Sequence, residues 1–386
     1  MQELISSKAR SLQALAEEVT TSVIAPRAAE VDRDAVWPEH AMQALAAAGL
    51  MGLHVPARLG GHQQGLVALV AITETIAQGC SSSALCYGMH CVGTAVVAAK
   101  ATPYHEEQYL RPIAEGRHIT TLALSESGTG SHFYLPQTLL TREEDSFLIT
   151  GTKQFVTNGG KADSYVVSTQ ASGTSDAGEF SCVIVDSGAP GLTWLEPWSG
   201  FGMRGNSSRG VRLDQARVPA ANLLGEDGDQ IWYTFEVVAP YFLTAMAGAY
   251  LGIARSALGE AVKHLQSRQY SHSGETLADM HVLQHKIAEL WIAVRKTRAL
   301  IYHAAHLGDL GETEALPSIL ASKADAADTA VAVANEAMTL CGGIAYGENG
   351  RLARLLRDAR ASHVMSPTTD ILKLWTGRAV LGLPLL

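Results

Sequence analysis

Three stretches of different hydrophobic period follow one another along the chain. From Ser11 to about Arg117 apolar positions recur at helical spacing, in Ala-rich amphipathic stretches such as Glu39 to Leu50 and Val67 to Gln78, broken by Gly49, Pro56 and the Gly60-Gly61 pair. Between Ile119 and about Leu224 the period shortens. Val211 and Leu213 alternate with Arg212 and Asp214, and short apolar runs such as Tyr165 to Val167 and Cys182 to Val185 are bounded by Gly, Ser and Asp. After Gly228 the helical period returns, with Leu283, Ile287, Leu290 and Val294 spaced for one buried face. The order helices, strands, helices predicts an α+β fold: a helical domain over 1–118, a small, mostly antiparallel β-domain over 119–228, and a helical domain over 229–386. The run Thr-Ser-Asp-Ala between Gly173 and Gly178 predicts a surface loop.

Composition narrows the class. With 386 residues and 47% apolar side chains the chain can bury large cores. A net charge of -9, with no long run of Lys and Arg, argues against nucleic acid as a partner. Cys80, Cys86, Cys91, Cys182 and Cys341 show neither CxxC pairing nor zinc-ligand spacing with His, so the expectation is buried thiols in a reducing cytosol, with no metal and no disulfide framework. The N-terminal MQELISSKAR lacks an apolar core and cleavage site, and no run of about 18 apolar residues is found, so a cytoplasmic location without membrane contact is expected.

Five separated segments then carry a resemblance, in order along nearly the whole chain. They are the Pro38-Glu39 opening with Gly49, Val55-Pro56 and Gly60-Gly61; Leu122 to Ser131, LALSESGTGS; Gly151 to Gly159, GTKQFVTNG; Phe201 to Gly225; and Cys341 to Ile371, CGGIAYGENGRLARLLRDARASHVMSPTTDI. On residues alone the second is a Gly-rich turn between strands and the fourth an edge strand closed by a turn of Pro219, Asn222 and Gly225. Together they resemble the acyl-CoA dehydrogenase superfamily, which implies an N-terminal helical domain, a middle β-domain and a C-terminal four-helix bundle, with FAD as cofactor.

In that resemblance Leu122, Leu124, Ser125, Gly130 and Ser131 run along the flavin and the thioester. Phe155 packs on the flavin ring, and Thr157 hydrogen-bonds near its N5. Thr368 closes the catalytic triplet and Asp370 follows it by two residues at the flavin, and Arg268, His281, Thr339, Gly342 and Gly343 hold the diphosphate and adenine of a neighbouring subunit's FAD. A homo-dimer or homo-tetramer is therefore implied, with an electron-transfer partner possible. The chain departs from the pattern at Ser127 and His132, in SRQYS (Ser267 to Ser271), at His281 and at Thr339.

The sharpest departure concerns the base. Where the family carries Glu-Gly-Thr this chain has Ser366, Pro367 and Thr368, and the alternative helical position for the glutamate holds Phe242 and Leu243. A serine hydroxyl is no base unless another group takes its proton, although the Ser366 N–H can still polarise a thioester carbonyl. The catalytic candidates are Ser366, His90 and His363, the last three residues before Ser366 and on its face if the helix continues; Glu236 is further off. Three functions stay open: α,β-dehydrogenation of an acyl thioester on CoA or a carrier protein with a non-standard base, a reduced-flavin monooxygenase, or a non-catalytic scaffold.

Overall fold

A computed structural model describes residues 4–173, 179–228 and 232–386; residues 174–178 of the expected Gly173 to Gly178 loop lie outside these. The chain opens with α1 (Ser7–Val19), α2 (Ala25–Arg33), α3 (Glu39–Ala47), α4 (Leu66–Gly79) and α5 (Ser81–Ala99), then the short α6 (Pro103–His105) and α7 (Arg111–Ala114). Eight strands follow: β1 (Thr120–Ala123), β2 (Leu139–Glu143), β3 (Ser146–Val156), β4 (Ser164–Gln170), β5 (Phe180–Asp186), β6 (Leu192–Pro197), β7 (Arg209–Pro219) and β8 (Leu223–Leu224). The chain closes with α8 (Ala239–Ser267), α9 (His281–Leu310), α10 (Ala315–Cys341), α11 (Arg351–Val364) and α12 (Thr369–Val380). The α+β architecture is the one the pattern predicts.

The strands form two four-stranded sheets, ordered β1-β4-β5-β8 and β2-β3-β7-β6, and β1 with β4 is their parallel pair. The alternation of Val211 and Leu213 with Arg212 and Asp214 is realised on β7, whose apolar side packs into the core between the sheets. The edge-strand expectation for this segment is corrected, because β7 lies between β3 and β6 and pairs with both.

Helix α4 corrects a second expectation. Val67 to Gln78 reads as amphipathic, yet nearly all of α4 is buried, since it runs between α1, α5, α8 and α9. Close approach of α8 requires glycine: a Cβ on Gly248 would meet Thr73 Oγ1 at 2.2 Å and one on Gly252 would meet Glu74 O at 2.5 Å. The buried Glu74 carboxylate is neutralised from α8 and α9 by Arg255 (2.6 Å), Arg298 (3.0 Å) and the Tyr302 hydroxyl (2.6 Å). Two helices, Ser81–Ala99 and Tyr233–Ser267, are long and apolar enough to cross a membrane, against the expectation of none; 89% and 83% of their apolar windows are buried inside the protein. On α9 the predicted face is buried at Leu290 and Val294 and half-buried at Leu283 and Ile287, while Val282, Trp291 and Ile292 are exposed.

Side chains from the helices hold the β-domain in place. The Trp37 indole N–H donates to Asn158 Oδ1 (2.9 Å), whose amide donates to Cys86 O (2.9 Å), and Arg357, forked onto Asp32 of α2, donates to Phe201 O (3.0 Å). The Met203 N–H donates to Asp358 Oδ1 (2.6 Å). Burial pushes the Asp358 carboxyl up to about 6. Its folded value exceeds its unfolded one, so ionised Asp358 costs stability, fully above pH 6 and not at all below pH 4, where it is protonated in both states. Asp358→Asn, which keeps an acceptor for Met203, is expected to raise the melting temperature at pH 7 by a few degrees; thermal melts across pH should show the gain vanishing near pH 4.

Candidate active site

Where the β-domain meets α8 and α11 the structure encloses a cavity of ≈ 770 Å³. Its walls come from segments far apart in sequence: Leu122 to Ser131, Gln154 to Thr157, Trp198 to Ser208, Val238 to Leu243 on the turn into α8, and Arg357 to Thr368. Leu122, Leu124, Ser125, Gly130, Ser131, Phe155, Thr157, Ser366 and Thr368 are thus brought together around one space.

Phe155 reaches this space through a β-bulge. Along β3, Lys153 pairs with Val211 and Val156 with Arg209, so β3 spends one residue more than β7 over this interval. Lys153 points into the core, and plain alternation would send Phe155 there too. The extra residue, with Phe155 at φ +53°, turns the ring out to the cavity, where it is 61% exposed and meets Trp198 edge-to-face at 6.1 Å. An aromatic face left open beside small hydroxylated residues is a platform for a flat ring.

Below that platform the Gly-rich loop is pinned by a buried ion pair. Glu126 accepts from Lys153 Nζ (2.5 Å), from Thr138 Oγ1 (2.8 Å) and N–H (3.2 Å), and from the Gln137 N–H (2.8 Å). Burial pulls Lys153 down to about 8 against the attraction of Glu126. For Glu126 burial acts upward but is outweighed by Lys153, Thr138 and Gln137, leaving it below its ordinary value. Glu126 is the cavity's carboxylate among the described residues, and it is consumed as a counter-ion.

On another wall of the cavity α11 ends at Val364 and the chain turns through Met365, Ser366, Pro367 and Thr368 before α12. The Ser366 Oγ is buried with no hydrogen-bond partner, and its N–H has no acceptor among the described residues. Phe242 and Leu243 line the wall nearby. Neither position that carries the family glutamate supplies a carboxylate.

Behind the turn lies a residue that sequence reasoning missed. Lys323 of α10 is fully buried and donates to the carbonyls of Ser362 (3.2 Å), Met365 (3.0 Å) and Pro367 (2.8 Å). Burial lowers it to about 7, and it has no carboxylate partner among the described residues. The missed signal is its spacing: Ile319, Lys323, Ala327 and Ala330 share one buried face of α10.

The histidine expectations are corrected. His90 lies in the interior of α5, outside the cavity lining, with Nε2 3.1 Å from Met51 O and Nδ1 accepting from the Thr120 N–H (3.2 Å). Burial lowers it to about 4, and neither ring nitrogen is left for a substrate. His363 faces α10, with Nδ1 2.6 Å from Arg360 Nη1 and Nε2 3.2 Å from Asp328. It does not share a face with Ser366 because the helix stops between them. Glu236 and Asp370 are exposed and outside the lining.

The remaining cofactor candidates lie elsewhere. From Phe242 on the cavity wall to Arg268 at the end of α8 is roughly 39 Å of helix. Arg268, His281, Thr339, Gly342 and Gly343 are all outside the cavity lining. They lie around the far ends of α8 and α10, where Ile344 and Tyr346 are 79% and 81% exposed.

The geometry agrees with comparisons to known proteins. Models of the acyl-CoA dehydrogenase N-terminal, middle and C-terminal domains match residues 6–117, 121–216 and 244–381. This chain belongs to the acyl-CoA dehydrogenase family. A relative from Geobacter metallireducens, cyclohex-1-ene-1-carbonyl-CoA dehydrogenase, is 32% identical over 95% of this chain and 96% of its own. Acryloyl-CoA reductase (NADH) of Anaerotignum propionicum is 28% identical over 96% and 93%. The solved structure of butyryl-CoA dehydrogenase from Megasphaera elsdenii superposes with a TM-score of 0.92 at 25% identity, covering 97% of this chain and 98% of that one. As a family member the protein is a flavoprotein oxidoreductase acting on CH–CH groups.

Proposed function

We propose that this acyl-CoA dehydrogenase relative uses FAD to oxidise an acyl thioester at its α and β carbons without a carboxylate base of its own. The observation that carries this reading is the cavity, which offers an aromatic platform at Phe155 and an unpaired N–H at Ser366 but no free carboxylate among the described residues. The residues fit the cofactor: the exposed Phe155 ring and the hydroxyls of Ser125, Ser131 and Thr157 suit a flat heterocycle with polar edges. When bound, FAD would accept a hydride from the β carbon.

The chain's own groups then have defined tasks. The Ser366 N–H donates to the thioester carbonyl and stabilises the charge that grows there as the α C–H bond breaks. Phe242, Leu243 and Met89 form apolar wall against which an acyl chain can pack. The α-proton has no carboxylate of this chain to go to and passes to water. This supports substrates whose α C–H is acidified beyond that of a simple saturated thioester, by conjugation or by an electron-withdrawing neighbour. Arg268, His281, Thr339, Gly342 and Gly343, too distant to share a flavin with Phe155 of the same chain, serve the site of a second copy, so the working form is a homo-oligomer. Electrons leave to an electron-transfer protein, and the enzyme works in the cytoplasm.

Anaerobic mixing of the yellow holoprotein with a panel of acyl-CoAs tests this. Activated thioesters are expected to bleach the flavin at least about tenfold faster than saturated ones, a modest share of what a positioned base contributes. Absence of bleaching across the whole panel would sink the reading. The missing base also favours a monooxygenase reading, for which turnover would require oxygen and a flavin reductant in the same sample.

A further inference from the structure

Three buried polar groups take no part in the function above. His54 is buried, with Nδ1 2.7 Å from Gln64 O and Nε2 unpartnered, but it packs edge-on against Tyr241 and is not part of the lining of the cavity. The cluster of His118, Ser164, Asp186 and Tyr109 resembles a relay, yet Ser164 is wholly buried between α5 and the sheet. Lys323 is different, because what it touches belongs to the reactive turn.

An ammonium group in a protein interior is costly unless it is paired with an anion. Lys323 instead receives three carbonyl oxygens, all from the segment Ser362 to Pro367, and lies 5.9 Å from the centre of the Tyr250 ring. Two of these carbonyls, Met365 and Pro367, flank Ser366. The Met365 carbonyl and the Ser366 N–H are the two ends of one peptide unit. In a planar trans peptide they point in opposite directions, so a cation that holds the oxygen from behind aims the N–H forward, away from α10. It also draws electron density toward the oxygen, which leaves the N–H more positive and a stronger donor.

We propose that Lys323 is a positioning residue that orients and polarises the Met365–Ser366 peptide, so that the Ser366 N–H stabilises charge on a thioester carbonyl. The inference rests on the reading that this carbonyl docks at Ser366. Lys323 touches neither substrate nor flavin; it acts through the peptide. It offsets in part the missing base, since a more strongly held oxyanion makes the α C–H more acidic.

The test reads the bound carbonyl directly. The probe is an enoyl-CoA labelled with 13C at the carbonyl, a product-type ligand that the enzyme does not oxidise further, bound to the flavin-loaded protein and observed by isotope-edited infrared spectroscopy. In the wild type the labelled band should fall in frequency relative to the free ligand. In Lys323→Met, and in Lys323→Gln, whose amide still donates to one carbonyl without charge, roughly half of that displacement should disappear. With an activated acyl-CoA, kcat should fall about tenfold while KM stays within about threefold, because the interaction strengthens toward the transition state. A wild-type band that does not move removes the docking reading itself. Neutral variants that hold flavin and show the wild-type displacement overturn the role of Lys323. So does failure of both neutral variants to fold, which would make the ammonium a structural staple only.

Discussion

Ser366→Glu is expected to raise the rate at which saturated acyl-CoAs bleach the flavin by roughly 10²- to 10⁴-fold, the range that a positioned general base contributes. Ser366 lines the cavity, its side chain makes no hydrogen bond there, and a cavity of ≈ 770 Å³ has room for one more methylene and a carboxyl in place of the hydroxyl. The substitution leaves the backbone N–H in place, so it adds a base without removing the carbonyl donor. Activated thioesters should gain far less, because their α-proton already leaves without help, and the ratio of the two gains separates restored base catalysis from a general improvement in binding. Anaerobic stopped-flow traces at saturating substrate supply both numbers. Equal gains for both substrate types, or none, would contradict the view that the missing carboxylate limits the substrate range.

The largest loss of stability is expected from Lys153→Met, at about 3–5 kcal/mol, the usual penalty for removing one partner of a buried ion pair. Lys153 is wholly buried and Glu126 nearly so, and the substitution would leave a carboxylate in the interior with only neutral donors around it. Urea unfolding should show the midpoint falling with the slope unchanged. The double variant Lys153→Met with Glu126→Leu removes the stranded charge but strands the N–H groups of Gln137 and Thr138 and the Thr138 hydroxyl, so it should recover only part of the loss. Full recovery would mean that the pair contributes charge balance and nothing through its hydrogen bonds. Because Glu126 anchors the loop that carries Ser125, Gly130 and Ser131, the single variant should also hold flavin less tightly.

Much of the site was legible before any coordinates, and the reason is local. LALSESGTGS, GTKQFVTNG and the turn after Arg357 to Arg360 are contiguous strings whose residues line the cavity together. What escaped depended on registers that a string does not display. His363 was placed with Ser366 on the assumption of a continuing helix, and α11 stops one residue after it. His90 is a catalytic candidate from its segment alone, but on α5 it is Met89 that lines the cavity, and His90 is spent on backbone partners. Lys323 stands in an Ala-rich helix where a lone lysine suggests a solvated face, and only the positions of its neighbours four residues either side betray that it points inward. Val67 to Gln78 looked amphipathic because Thr73, Glu74 and Gln78 are polar, whereas its surroundings make Glu74 a buried anion with two guanidinium partners.

The single extra residue in β3 can be regarded as a change of phase. Before it, odd-numbered positions such as Phe147, Ile149 and Lys153 face the interior; after it, the even-numbered Val156 does. Val156 is the last residue of the strand, so the change of step falls at its end, and Phe155 stands at the join. The inward-facing positions before the bulge keep their step while Phe155 is released from the core and offered to the cavity.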